Sequence, residues 1–96
     1  MNLRQSLATT IRSVRKSRGL TQEDFGIVSS RTYLSSLERG LKSPTLDKLE
    51  ELSRILKMHP AAVVLTAYAM QIEPAGRATL IGEISEEATR FCQNLP

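Results

Sequence analysis

Apolar residues recur along this chain at the spacing of an α-helix. In the first segment Leu3, Leu7, Ile11 and Val14 follow one another at intervals of three or four, which places them on one face of a helix over residues 3–17. The low counts of Gly and Pro, five and four, argue against a β-protein with many turns. The pattern therefore predicts an all-α protein.

Five further helices are predicted after the first. They cover about residues 21–28, 30–39, 45–57, 60–70 and 78–93. Thr21 and Ser30 are residue types that cap helix N-termini, whereas Gly19 and Gly40 are suited to ending the helices that precede them. Ninety-six residues with these short connections suffice for one compact domain.

The last three predicted helices differ in which faces are apolar. The helix that starts near Thr45 has an inner stripe at Leu46, Leu49, Leu52 and Leu56. The helix over residues 60–70 is apolar nearly all round, so we expect it to be buried on more than one side. The final helix places acidic residues beside an apolar stripe that consists of Ile81, Ile84, Ala88, Phe91 and Leu95.

Charge is distributed unevenly along the chain. The 13 Lys and Arg residues outnumber the 10 Asp and Glu residues, which gives a net charge of +3. Residues 1–57 hold 11 basic and 6 acidic residues, a balance of +5, whereas residues 58–96 hold 2 and 4, a balance of −2. The excess of basic residues in 1–57 favours a polyanionic partner for that part. Residues 58–96 lack this excess, so we expect them to serve another function.

The basic part contains a polar helix face that is suited to contacting DNA bases. The helix over residues 30–39 turns Leu34 and Leu37 inward. Four of the seven residues from Ser30 to Ser36 are Ser or Thr, although exposed helix faces more often carry Glu, Lys and Ala. The candidates for contacts with base edges are Arg31, Thr32, Ser35 and Ser36.

Three sequence blocks resemble those of a known family. They are Thr21-Gln22-Glu23-Asp24-Phe25, Leu34-Ser35-Ser36-Leu37-Glu38-Arg39-Gly40 and Ser43-Pro44-Thr45-Leu46. Their order is similar to that in the helix-turn-helix family of the phage repressors and Cro proteins, also called the XRE family, over about residues 7–65. The chain departs from the family at the turn, where Gly26 stands in place of an Ala. The segment between Phe25 and Leu34 is also shorter and lacks the family's turn glycine.

The resemblance implies a five-helix, repressor-like DNA-binding domain whose third helix enters the major groove with the four base-facing residues named above. The phosphate contacts expected beside them are Gln22, Ser30, Tyr33, Arg39 and Lys42. For Tyr33, packing in the turn is an equal alternative. The resemblance also implies a salt bridge between Arg15 and Glu38 that locks the first helix to the third.

The C-terminal helix falls outside the resemblance. We therefore divide the chain into a helix-turn-helix domain over residues 1–72 and a C-terminal helical element over residues 73–96. A five-helix domain of this family is already closed, so an added amphipathic helix needs a partner, and a second copy of the chain is the simplest one. We expect a homodimer with an interface that contains Ile81, Ile84, Ala88 and Phe91.

These features predict a transcriptional regulator, most simply a repressor, that binds double-stranded DNA at an operator with two-fold symmetry. Two other functions stay open: an antitoxin or restriction–modification controller, and a protein–protein adaptor with a vestigial helix-turn-helix. An enzyme has little support, because the sequence offers no paired acids, no nucleophile–base spacing and no glycine-rich phosphate loop. We expect no cofactor, metal ion or small-molecule ligand.

The remaining sequence features concern location. The single cysteine, Cys92, cannot form an internal disulfide and is predicted to be a packed, small apolar residue. The longest apolar run, residues 61–65, is far too short for a membrane span, and the N-terminus lacks a signal-peptide pattern. We expect a bacterial cytoplasmic protein associated with the nucleoid.

Overall fold

The computed structural model describes residues 1–96 and contains helices as its only regular elements. The α-helices are α1 (Leu3–Ser17), α2 (Arg31–Glu38), α3 (Leu46–Leu56), α4 (Pro60–Ala69) and α5 (Arg77–Cys92). Two 3₁₀ helices cover Gln22–Phe25 and Pro74–Gly76. The predicted all-α fold is therefore confirmed.

Capping groups and glycines fix the helix boundaries. The hydroxyl oxygens of Ser30 and Thr45 each accept the backbone N–H three residues later, at 3.1 Å, and so start α2 and α3. After α1 and α2 the chain reverses at Gly19 and Gly40, whose φ values of +66° and +74° favour glycine. These signals are local, and the bounds they predict agree closely with the observed helices.

The predicted second helix differs from the observed one. It is a single 3₁₀ turn over Gln22–Phe25, capped by Thr21 as expected, and it does not continue as an α-helix to Ile27. Phe25 and Leu34 are both fully buried, so the short segment between them must leave the core, reverse and return. The amides of Val28 and Ser29 donate to the Phe25 carbonyl at 3.0 and 2.9 Å, so a single turn follows the 3₁₀ helix before α2 begins.

The first 3₁₀ helix and the helices α1, α2, α3 and α4 share one hydrophobic core. Its eight buried residues are Ile11, Phe25, Leu34, Leu37, Leu49, Leu52, Leu56 and Val63. The pairing of α1 with α4 is the most extensive between helices. Thr10 on α1 donates to the Ser6 carbonyl at 2.8 Å and approaches the Met70 sulfur at 2.9 Å, so this contact includes buried polar groups as well as apolar ones.

Two expectations about burial need correction. Leu46 was predicted to face inward but is 80% exposed, because it starts α3 and its turn projects beyond the core. Cys92 was predicted to be packed but is exposed near the end of α5. α4 packs against α1, α3 and α5, so its expected burial on more than one side is confirmed, although Tyr68 is 45% exposed on its open flank.

α5 attaches to the rest of the molecule mainly through α4. No residue of α5 is buried, and the Nε of Arg77 donates to the Ala69 carbonyl at 3.0 Å where the helix begins. The radius of gyration is 14.3 Å, against about 13 Å for a compact domain of this size. None of the helices has the length and apolar character that crossing a membrane requires.

Candidate nucleic-acid interface

α2 has a buried face and an exposed face. Leu34 and Leu37 are 0% and 1% exposed and hold the helix on the core. Arg31 and Thr32 are exposed, and Ser35 is half-buried. The N-terminal half of α2 therefore offers polar side chains to a ligand while its other face anchors it.

An open depression of about 370 Å³ lies between the first 3₁₀ helix and α2. It is lined by Gln22, Arg31, Thr32, Ser35 and Arg39, none of which is apolar. All five are among the residues predicted to contact DNA, and they come from two elements that the chain reversal brings side by side. The structure thus places three predicted base-facing residues and two predicted phosphate-facing residues around one polar depression.

Ser36 does not belong to this surface. It was predicted to face bases, but it is only 9% exposed. The chain turns back at Gly40, and the Leu41 amide donates to the Ser36 carbonyl at 3.0 Å, so Ser36 lies beside the returning chain. The burial of Ser36 does not favour a contact with a base edge, and its predicted role stays a prediction.

A buried ion pair connects α1 to the C-terminal end of α2. The Nε and Nη2 of Arg15 donate to the two carboxylate oxygens of Glu38 at 2.7 and 2.9 Å, and the side chains are only 10% and 4% exposed. A third nitrogen of Arg15 donates to the Leu20 carbonyl at 2.9 Å. The hydrogen bond to Glu38 raises the pKa of Arg15 above its ordinary value, so the guanidinium stays charged. The pair fixes α2 against α1, as the resemblance implied.

Gln22 adds the 3₁₀ helix to this network. Its amide nitrogen donates to Glu38 at 3.2 Å, and the residue is half-buried. Because an amide group has two N–H donors, one of them stays available at the polar depression. The expected phosphate contact of Gln22 is thus compatible with its place in the ion-pair network.

Tyr33 is surrounded by two lysines. The ammonium groups of Lys42 and Lys48 lie 5.5 and 5.7 Å from the centre of its ring, which is cation–π distance. The ring packs against the core, and this burial raises the pKa of Tyr33, so the phenol is a neutral hydrogen-bond donor at physiological pH. Packing and a phosphate contact through the hydroxyl are therefore not exclusive.

Lys48 supports the turn before α2. Its Nζ donates to the Val28 carbonyl at 2.6 Å and lies 3.8 Å from a carboxylate oxygen of Glu51. Lys48 is not among the functional residues that the sequence predicted. No local pattern marks this contact, because it joins residues 20 positions apart. The contact ties a turn that lacks the family's glycine to α3.

Other expected residues are placed as follows. Ser30 and Lys42 are exposed at the two ends of α2. Arg31 pairs loosely with Glu23 on the 3₁₀ helix, at 3.7 Å and with both side chains more than 70% exposed. Such a surface pair is weak, so a competing ligand readily displaces it.

The four residues expected at a dimer interface all lie on α5. Ile81, Ala88 and Phe91 are exposed, with Phe91 at 71%. Ile84 is half-buried and faces a groove of its own chain. The structure thus leaves Ala88 and Phe91 open, whereas Ile81 is 38% exposed and Ile84 is partly covered by its own chain.

Comparison with known proteins places this geometry in a family. A helix-turn-helix family model, HTH_3, matches residues 11–63. An uncharacterised HTH-type transcriptional regulator of Sinorhizobium fredii, y4dJ, is 41% identical over 58 residues, which span 58% of this chain and 75% of that protein.

Two crystal structures of the clp gene regulator ClgR from Corynebacterium glutamicum have the same fold. One superposes with a TM-score of 0.69 at 30% identity and covers 75% of this chain and 96% of that one. The other has a TM-score of 0.67 at 27% identity and covers 95% of this chain and 90% of that one. The family and these relatives are transcriptional regulators, which are not enzymes. The chain belongs to the helix-turn-helix family, as a DNA-binding transcriptional regulator.

Proposed function

We propose that this protein represses transcription by occupying an operator with two-fold symmetry as a homodimer, with α2 of each copy in a major groove. The observation that carries the proposal is the polar depression in which Gln22 of the 3₁₀ helix meets the exposed residues of α2. A short helix that displays donors beside a second element with an amide donor matches the docking geometry of helix-turn-helix domains.

The polar residues on and around α2 are proposed to have two roles. Arg31 suits a bidentate contact with guanine O6 and N7, and Thr32 and Ser35 donate to or accept from other base edges. Phosphates are contacted by residues around this centre, which are Gln22, Ser30, Tyr33, Arg39 and Lys42. Base contacts set the sequence preference, whereas phosphate contacts give affinity and orientation.

The homodimer rests on α5. Its apolar stripe is exposed, and the residues from 58 onward carry a balance of −2, which does not favour contact with DNA. Two copies related by a two-fold axis would present their α2 helices to successive major grooves, about 34–36 Å apart. Repression then needs only occupancy of the operator, and the site of action is the nucleoid in the bacterial cytoplasm.

Selection of bound sequences from random duplexes with the purified protein tests the proposal. We expect enrichment of a symmetric motif with two half-sites separated by one helical turn, and binding that weakens steeply with salt. An adaptor with a vestigial helix-turn-helix would enrich no sequence at any salt concentration. A single half-site without symmetry would retain DNA binding but overturn the homodimer.

A further inference from the structure

An apolar groove lies on the side of the molecule formed by α3, α4 and α5. Its volume is about 600 Å³, and its apolar lining includes Leu46, Leu49, Val64, Leu65, Tyr68 and Ile84. Leu46 is 80% exposed and Tyr68 is 45% exposed. An open apolar surface of this kind marks a place where another apolar group binds.

The end of α5 has the opposite character: it projects apolar side chains with nothing to cover them. Phe91 is 71% exposed and Leu95 is 57% exposed. Phe91 follows Ile84 on the same stripe of α5, and Leu95 lies three residues beyond the last residue of the helix. Each copy of the chain thus carries an empty apolar groove and an uncovered apolar helix end.

A chain cannot fill its own groove with its own helix end. Ile84 already lines the groove, and Phe91 lies seven positions later on the same continuous helix. At 1.5 Å per residue this places Phe91 about 10 Å further along the axis. Bringing it back would require breaking α5. The occupant must therefore come from outside the chain.

We infer that the groove receives the segment Phe91–Leu95, which spans the last residues of α5 and the turn after it, from a second copy, and that the second copy receives the same segment in return. The inference rests on the homodimer of the proposed function and names its contacts. Two surfaces that complement each other within one sequence are both satisfied by a two-fold axis, which closes the assembly at two copies. Exchange covers two grooves and two helix ends, whereas a contact between one groove and one helix end would leave the other groove and helix end open.

The competing arrangement pairs the two α5 stripes directly, with Phe91 against Phe91. The two arrangements differ in whether Leu46 takes part, because Leu46 lines the groove and lies on α3. They also differ in what Phe91 contacts on the other copy. In the exchange it contacts the groove, whereas in direct pairing it contacts the other Phe91.

Mixing two variants separates the arrangements. Leu46→Glu and Phe91→Glu change exposed side chains, so both variants should fold, which circular dichroism melting will check. We expect each alone to weaken dimerisation at least tenfold. An equimolar mixture should form heterodimers, resolved by native mass spectrometry, because the intact Phe91 end of one variant meets the intact groove of the other. A Leu46→Glu variant that dimerises normally, or a mixture that stays monomeric, would overturn the exchange.

The native thiol provides a second measurement. Cys92 is exposed next to Phe91, so a Leu46→Cys variant should form, under mild oxidation, an intermolecular disulfide between the introduced thiol and Cys92 of the other copy. Leu41→Cys is the control, since Leu41 is 60% exposed and does not line the groove. Disulfides between two Cys92 residues alone would support direct stripe pairing and overturn the exchange. Salt-sensitive binding of the glutamate variants to a half-site reports separately on the proposed function.

Discussion

α2 and α5 are both amphipathic helices, but they are held very differently. α2 has 8 residues and buries four of them, whereas α5 has 16 residues and buries none. α2 is also tied from two sides, by the Arg15–Glu38 ion pair and by the bond from Lys48 to the turn before it. α5 has one hydrogen bond to the body, from Arg77 where it begins.

The difference fits the two roles that we propose, base contacts for α2 and dimerisation for α5. A helix that contacts base edges must hold its side chains in a fixed place, and the body of the protein supplies that support to α2. A helix that joins two copies obtains its support from the partner, so its apolar side stays open in the single chain. Amphipathic sequence alone therefore does not tell whether the partner of a helix lies in the same chain.

The largest expected contrast is between the ion pairs of the two helices. Arg15→Met leaves Glu38 buried without its cation, so we expect the free energy of unfolding to fall by about 3–5 kcal/mol. Arg90→Met breaks the exposed Glu86–Arg90 pair of α5, which is 3.7 Å long, and we expect a loss of less than about 0.5 kcal/mol. Urea denaturation of both variants measures the contrast. Equal losses would mean that α2 is not fixed by its buried pair.

A second contrast separates base contacts from phosphate contacts at the two ends of α2. Arg31→Ala should relax the preference at one base pair per half-site and cost about 1–3 kcal/mol there. Lys42→Ala should weaken binding to all duplexes alike and reduce the salt slope by about one unit. Sequence-specificity profiling at several salt concentrations checks both. A preference that survives Arg31→Ala would place this arginine outside the groove.

The support of α2 by Lys48 predicts an intermediate effect. Lys48→Met removes a charge-assisted hydrogen bond to the Val28 carbonyl, worth about 1.5 kcal/mol or more, and should lower operator affinity about tenfold while altering base preference. Arg54→Met is the matched control, because it removes a positive charge from the exposed side of the same helix. If both variants lose affinity equally and keep the same preference, Lys48 acts through its charge alone.

The smallest expected effect concerns the loose pair between Arg31 and Glu23. Glu23→Gln frees Arg31 and removes a negative charge beside the proposed DNA surface, so affinity should rise by the equivalent of about 0.2–1 kcal/mol. Glu83→Gln on α5 removes the same charge far from that surface in sequence and should leave affinity unchanged. Fluorescence anisotropy at low salt measures the DNA affinity of both variants. A similar gain from both would show only a general charge effect.

Local features of the fold were predictable from the sequence, and features that depend on packing were not. Ser30, Gly19 and Gly40 mark helix boundaries through their own backbone chemistry, and the motif blocks identified the family. The burial of Ser36 and the contact of Lys48 with Val28 depend on where a distant segment returns, which no periodicity records. The sequence predicted a helix to about residue 28, so the short 3₁₀ helix and the contact of Gln22 with Glu38 required the structure.

The division of labour between the two helices is tested most directly by cutting the chain after Met70. All eight core residues precede this point, so the shortened protein should fold and keep α2 in place. We expect the full chain to bind a duplex with two half-sites at least tenfold more tightly than a duplex with one, in fluorescence anisotropy at fixed salt. The cut chain should bind both duplexes equally weakly. A cut chain that binds the full operator as tightly as the intact protein would contradict the account.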